Sequence, residues 1–273
     1  MPPASPVAFS LPRPGPVLRV VLIGLFALWL VFALGLNWAG VSDAPFLLLT
    51  ADQTALVAGQ LWRLATAPLL HAPNVLGHIA SALLGLYFLG AGLEGRFGSR
   101  RFATFLACAA VLPYAVQALI LLVLPDSLGQ KLAPSFAFGA MPAVEAVAIA
   151  WAFSFRGQTV NLFFVLPVTS TGLVWFVVGF SILALIAGQT PPSGHLALFA
   201  GMGVGYLFGG GNPSPLRRLY LAWRLRGLER EASGERRRRR QPGKSGLRVI
   251  VGGRTKKGGP GGPNDPDDKK FLN

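Results

Sequence analysis

Three histidines are the residues of this chain best suited to chemistry: His71, His78 and His195. His71 and His78 bracket the start of the second long apolar run, and His195 opens the sixth. A histidine that takes the proton of a hydroxyl turns it into a nucleophile. Ser81 follows His78 by three residues and Ser193 precedes His195 by two. A serine near a histidine arises often by chance, however, and Ser193 fits equally well as the N-cap of a helix starting at His195. Two histidines on different helices, with no third ligand, make a poor metal site, so neither metal nor other cofactor is expected. Glu145 is the one acid inside an apolar run. An intramembrane carboxylate is costly unless protonated, paired or facing water. Glu145 therefore reads either as a ligand- or proton-binding group or as a side chain snorkelling toward Arg156, the simpler alternative. Pro142, nearby, is expected to distort its helix. The lone Cys108 forms no internal disulfide and reads as a small buried apolar residue.

The elements that must position these groups are membrane helices. Of 273 residues, 52% are hydrophobic and 13% charged, with mean hydropathy +0.51. A soluble domain would carry about a quarter charged residues. A crossing takes about 20 apolar residues, and six runs approach that length: Val17–Ala39, Gly77–Leu93, Arg101–Leu124, Phe136–Phe155, Val160–Ala187 and Gly194–Gly210. The expected fold is an all-α, polytopic membrane bundle of six transmembrane helices. The first run is too long for a signal-peptide core and lacks a cleavage-type ending, so it is expected to persist as a signal anchor. Gly40 to Leu76 is long for a loop and too apolar to be solvated. There Trp62 suits headgroup depth, and Arg63 can snorkel or bond carbonyls, which predicts an interfacial first loop.

Charge sets the orientation. After Asn212 lie 17 of the 25 Lys and Arg and 6 of the 11 acids, hence +11 of the net +14. Arg13 and Arg19 flank the first run, Arg96, Arg100 and Arg101 separate the second from the third, and Arg156 separates the fourth from the fifth. The opposite loops hold Arg63 and Lys131 against Asp43, Asp52 and Asp126. Lys and Arg gather on the cytoplasmic side, so both termini are expected there, as an even number of crossings requires. Residues 1–16 are expected to be disordered, 17–211 to form the membrane domain, and 212–273 to form a basic cytoplasmic tail. In that tail Leu216 to Glu235 has an amphipathic helical pattern. The five cations Arg236 to Arg240 and a Gly/Pro-rich end that cannot build a core then follow. A basic tail directly after a membrane helix points to anionic lipid, with no nucleic acid expected.

Several segments together carry a resemblance. They are GQLWRLATAPLLHA at Gly59 to Ala72, GLEGRFGSRRF at Gly92 to Phe102, Phe138-Gly139 near the start of the fourth run, and Gly194-His195-Leu196 at the start of the sixth. With six helices and the histidines, the chain resembles the rhomboid family of intramembrane serine proteases. The resemblance implies a bundle of six helices in a bacterial inner membrane. It also implies a serine nucleophile on the fourth helix, a histidine base on the sixth, and an oxyanion site from a histidine and an asparagine on the second. Position by position, the Gly-x-Ser-Gly element becomes Phe136-Ala137-Phe138-Gly139, His195 matches the base, His78 matches the oxyanion histidine, and Ala82 stands for the asparagine.

Phenylalanine has no hydroxyl, so no acyl-enzyme forms at Phe138. Losing a serine nucleophile costs on the order of a millionfold in turnover, and an oxyanion donor about a hundred- to a thousandfold. The expected protein is a pseudoprotease that binds transmembrane segments of clients through the side between the second and fifth helices and the first loop. Trp62, Arg63 and His71 are expected to organise that loop, with His71 bonding backbone. On the sixth helix Ala197, Gly201, Gly205 and Gly209 recur every four residues, a close-packing line. His195 is expected to point away from it, about 200° round the helix. Two other readings compete: a protease with a displaced nucleophile such as Ser135, and a small-solute or proton-linked carrier using Glu145. The carrier lacks broken helices and inverted repeats.

Overall fold

The computed structural model describes residues 12–162, 166–209 and 214–240. Most of the N-terminal stretch expected to be disordered, and the polar end past Arg240, fall outside them. The chain divides into two units, Met1–Trp223 and Arg224–Asn273.

Helix α1 (Pro16–Asn37) begins on a proline, whose missing N–H costs nothing in a first turn. The first loop follows as short pieces: α2 (Ala44–Leu49), the two-residue strand β1 (Ala51–Asp52), α3 (Gln53–Val57), α4 (Arg63–Thr66) and a 3-10 turn (Ala67–Leu69). Asp52 caps α3 by accepting the Thr54 N–H. Leu48, Val57, Leu61, Trp62 and Leu69 on these pieces are exposed. Helix α5 (Leu76–Phe97) ends at Gly98, whose φ of +76° turns the chain straight into α6 (Ser99–Leu121). Then come α7 (Asp126–Leu132), strand β2 (Phe136–Ala137) and α8 (Met141–Ser154). A hairpin of β3 (Thr159–Leu162) and β4 (Leu166–Thr169) precedes α9 (Ser170–Ile186), α10 (His195–Gly209) and α11 (Pro215–Arg240).

Helices α1, α5 and α6, with 22, 22 and 23 residues, are long and apolar enough to cross a membrane. Helices α8, α9 and α10 are apolar but shorter. Two sequence expectations fail for backbone reasons. The run from Val160 does not start a helix, because residues 159–162 and 166–169 pair antiparallel, Thr159 opposite Thr169. That segment is rich in β-branched residues, and Pro167 would break a helix interior. Helix α9 starts only where Thr169 caps it through the Gly172 N–H. The run from Phe136 likewise opens as strand, with Ala137 paired to Ala51 and Phe136 to Asp52. Pro142 then sits in the first turn of α8, where it favours the start and distorts nothing.

Helix α8 is the axis of the bundle. Every residue from Pro142 to Ala152 is buried, as suits a helix apolar all round. Helices α5, α6, α9 and α10 pack on it, and α1 packs on α5. The contact with α10 is backbone on backbone. A β-carbon at Gly201, Gly205 or Gly209 would overlap the main chain of Pro142, Ala146 or Ala150, so two lines spaced by four lie face to face. Helix α11 runs five residues beyond the expected Glu235, through Arg240. Arginine is a good helix former, which favours that extension.

Candidate functional site

The site grows from three main-chain segments that meet at residues 136–139. Strand β2 pairs with β1 of the first loop. The Phe138 N–H donates to the Pro192 carbonyl at 2.9 Å, and the Gly139 N–H to the Ala67 carbonyl at 3.0 Å. The Tyr114 hydroxyl, on α6, donates to the Gly139 carbonyl at 2.7 Å. Gly139 has φ +115°, and a β-carbon there would stand 2.9 Å from His78 Nε2. Both the backbone angle and the close approach require glycine.

The Phe138 ring closes the centre. It meets Phe46 edge-on with centroids 5.2 Å apart and planes at 80°, and meets the His78 imidazole at 5.7 Å and 75°. Phe46 in turn packs on Phe32 of α1 at 5.2 Å, and His78 lies 5.0 Å from His71. Five rings thus run from α1 through the site to the loop before α5, in geometries that aromatic quadrupoles favour.

His78 Nδ1 accepts the Ala72 N–H at 3.0 Å. In the neutral ring this assigns the proton to Nε2. Nε2 is buried, has no hydrogen-bond partner and faces Gly139. The position can therefore donate to a carbonyl oxygen or an oxyanion. Ala82, in the place of a second donor, is fully buried among apolar neighbours. His71 lies in the first loop, next to the Leu69 backbone. It is buried, and neither ring nitrogen makes a hydrogen bond of standard geometry. Its pKa is lowered to about 4, chiefly by burial and secondarily by the nearby His78, against a smaller opposing effect of the Leu69 backbone.

His195, the first residue of α10, is buried with Nδ1 unpartnered. Among the described residues it makes no ring contact with Phe138, and the Phe138–Pro192 bond joins the two segments. Ser193 is not the helix cap, because its buried Oγ has no partner. Gln117 of α6 takes the part instead, Oε1 accepting the Ala197 N–H at 3.1 Å beside Gly194, whose φ is +83°. Ser81 Oγ donates to the His78 main-chain carbonyl, not to the ring. Ser135 is exposed and lines a cleft with Asp52 and Asp126 that no histidine lines.

Glu145 does not snorkel. Its Oε1 accepts the Ser181 hydroxyl of α9 at 2.9 Å while Oε2 is buried without a partner. Arg156 lies over the Phe153 ring instead, 5.5 Å from its centroid. Arg63 is the organiser of the first loop: NH1 donates to the Leu47 and Thr50 carbonyls at 2.8 and 2.9 Å, and Nε to Gln60 at 2.7 Å. Trp62 beside it is half exposed.

Sequence reasoning missed Glu94. Its carboxylate accepts the Val17 and Leu18 N–H groups, both at 3.0 Å, and the Ser99 hydroxyl at 2.9 Å. It caps α1 from the last turn of α5, so Glu145 is not the only acid in an apolar helix. The span drawn to Leu93 stopped one residue short of it. Gln117 and Tyr114 were missed too, although a polar side chain within an apolar run is itself a signal.

A family model described as the rhomboid domain matches residues 58–211, more than half of the chain. No curated protein matches the chain. The matched range holds His71, His78, Phe138 and His195, and its helices are those packed around α8. The chain is therefore a multi-pass helical membrane protein and belongs to the rhomboid family.

Proposed function

We propose that this rhomboid-family protein has lost proteolysis and binds transmembrane segments of client proteins without cutting them. One observation carries the reading: at the position of the family nucleophile stands Phe138, its ring held edge-on between Phe46 and His78. A phenyl group cannot attack a carbonyl. The Phe138 ring lies 5.7 Å from the imidazole of the one remaining donor, His78. Client helices would be met by α5, α9 and the first loop. On α9, Trp175, Phe176, Phe180 and Leu183 are exposed, an apolar face suited to another helix in lipid. On this reading the membrane is a bacterial inner membrane and both termini face the cytoplasm, which the arginines between α5 and α6 and after α8 support.

A displaced serine has less support. Ser135 lacks a histidine in its cleft, and Ser81 is engaged with backbone. The carrier reading rests on Glu145, one oxygen of which is engaged by Ser181 in the α8–α9 contact.

The test is a cleavage assay in bacterial membranes with a generic rhomboid substrate helix. The native chain is expected to leave it whole, and a variant carrying Phe138→Ser with Ala82→Asn to cut it. Cleavage by the native chain, lost on Ser135→Ala, would establish the displaced-serine enzyme instead. Client binding is read separately by photo-crosslinking from Trp175 and Phe180, and absence of any crosslinked membrane helix would overturn the binding role.

A further inference from the structure

Five arginines converge at one end of the bundle. Arg96 lies in the last turn of α5, Arg101 in the first turn of α6, Arg156 just after α8, and Arg217 and Arg218 in the first turn of α11. All five line one cavity of about 530 Å³, and among the described residues no carboxylate lines it. Among the described residues, Arg96, Arg101, Arg156 and Arg217 have no acidic partner. Three of them lie over aromatic rings: Arg96 over Phe155 at 5.1 Å, Arg101 over Phe97 at 4.6 Å, and Arg156 over Phe153 at 5.5 Å. Those stacking contacts orient the guanidinium groups without neutralising them. Like charges gathered in one cavity repel, and an anion between them removes the repulsion.

A second cavity, of about 690 Å³, shares Arg101, Phe208, Ser214 and Arg217 with the first and continues along Leu219, Tyr220 and Trp223. The lining therefore passes from guanidinium to apolar and aromatic. A free phosphate would use only the basic half. A molecule with a phosphate at one end and hydrocarbon at the other matches both.

We propose that these joined cavities form a binding site for the phosphate of an anionic phospholipid, its glycerol and first methylenes lying along Tyr220 and Trp223. Guanidinium pairs phosphate oxygens through two parallel hydrogen bonds, which a choline headgroup, with its own cation beside the phosphate, would oppose. The site is separate from Phe138 and the histidines, and it involves folded elements, not the tail arginines beyond residue 235.

The experiment is native mass spectrometry of the full chain in neutral detergent, titrated in turn with short-chain phosphatidylglycerol, the matching phosphatidylcholine and inorganic phosphate. Phosphatidylglycerol is expected to be retained and the other two are not. Arg101→Gln with Arg156→Gln should weaken retention at least about tenfold, whereas Arg100→Gln with Lys131→Gln, of equal charge change, should leave it unaltered. Tyr220→Ala with Trp223→Ala alters only exposed side chains, and should weaken lipid retention even if the arginine pair proves unstable. Displacement of the lipid by equimolar inorganic phosphate would reassign the site to a free anion. Retention that survives the Arg101 and Arg156 changes, or falls equally with the control pair, would overturn the proposal in favour of diffuse attraction.

Discussion

Gly205 rests on the carbonyl of Ala146 so closely that a methyl group at position 205 would overlap the oxygen. Two residues earlier, Gly203 has nothing within 4 Å of where its β-carbon would lie. The same substitution on one helix should therefore have opposite effects. Gly205→Ala is expected to destabilise by about 1–3 kcal/mol, since it forces α10 off α8. Gly203→Ala is expected to be neutral or to stabilise by about 0.5–1 kcal/mol through helix propensity. Unfolding in mixed detergent measures both, and equal effects would refute the backbone contact.

Removing the Glu94 carboxylate should loosen α1 in particular. Glu94→Ala leaves the Val17 and Leu18 N–H groups without their acceptor, at a cost of about 2–4 kcal/mol. Glu94→Gln keeps one carbonyl oxygen and should cost less. Hydrogen exchange at the first turn of α1 should rise in the alanine variant while exchange in α8 is unchanged. Uniform acceleration would mean that Glu94 supports the whole bundle and not this junction.

His71 makes stability fall with acid. Its folded pKa of about 4 lies below the ordinary 6.5, so the unfolded chain binds the proton more readily. The neutral ring's contribution is complete above about pH 6.5 and disappears as pH falls toward 4, up to about 3 kcal/mol in all. The midpoint of thermal unfolding, followed from pH 7 to 4, should drop across that window. His71→Leu should flatten the drop, and an unchanged slope would exclude His71 as its source.

Ser181 and Glu145 should show strong coupling. Ser181→Ala strips the Glu145 carboxyl of the one hydrogen bond it has among the described residues and is expected to cost about 1–2 kcal/mol. Ser181→Ala with Glu145→Leu replaces both partners by apolar groups and should recover most of that loss. A double-mutant cycle reads the difference directly. Additive effects would mean that the two side chains act independently.

The fold was legible in the sequence where hydropathy alone decides it, as at α1, α5 and α6, and where small residues recur every fourth position on α10. It was not legible where backbone pairing competes with an apolar run. Val160 and Phe136 both sit in stretches apolar enough for a helix, but a local hairpin partner, Val168, decides otherwise for the first and a distant one, Asp52, for the second. The same holds in the site. Phe138, His78, Ala82 and His195 were singled out by their place in motifs, and Arg63 by its type. Glu94, Tyr114 and Gln117 act on partners 25 to 80 residues away, contacts that local spacing does not encode. The depth of His71's burial was not legible either, because nothing in the chain near it announces a fully enclosed ring.

The segment around residue 138 is clamped through peptide groups: strand pairing to Ala51, and hydrogen bonds from the Phe138 and Gly139 N–H groups to the Pro192 and Ala67 carbonyls. None of these bonds involves a side chain of residues 136–139. Scaffold and reactivity are thus separable at this point of the chain. The first loop and the approach to α10 hold the peptide in position whatever group the residue carries, so selection can exchange that group without renegotiating the fold. Resemblance across the domain then speaks for the architecture, and on the reading proposed above the chemistry turns on the side chain carried here.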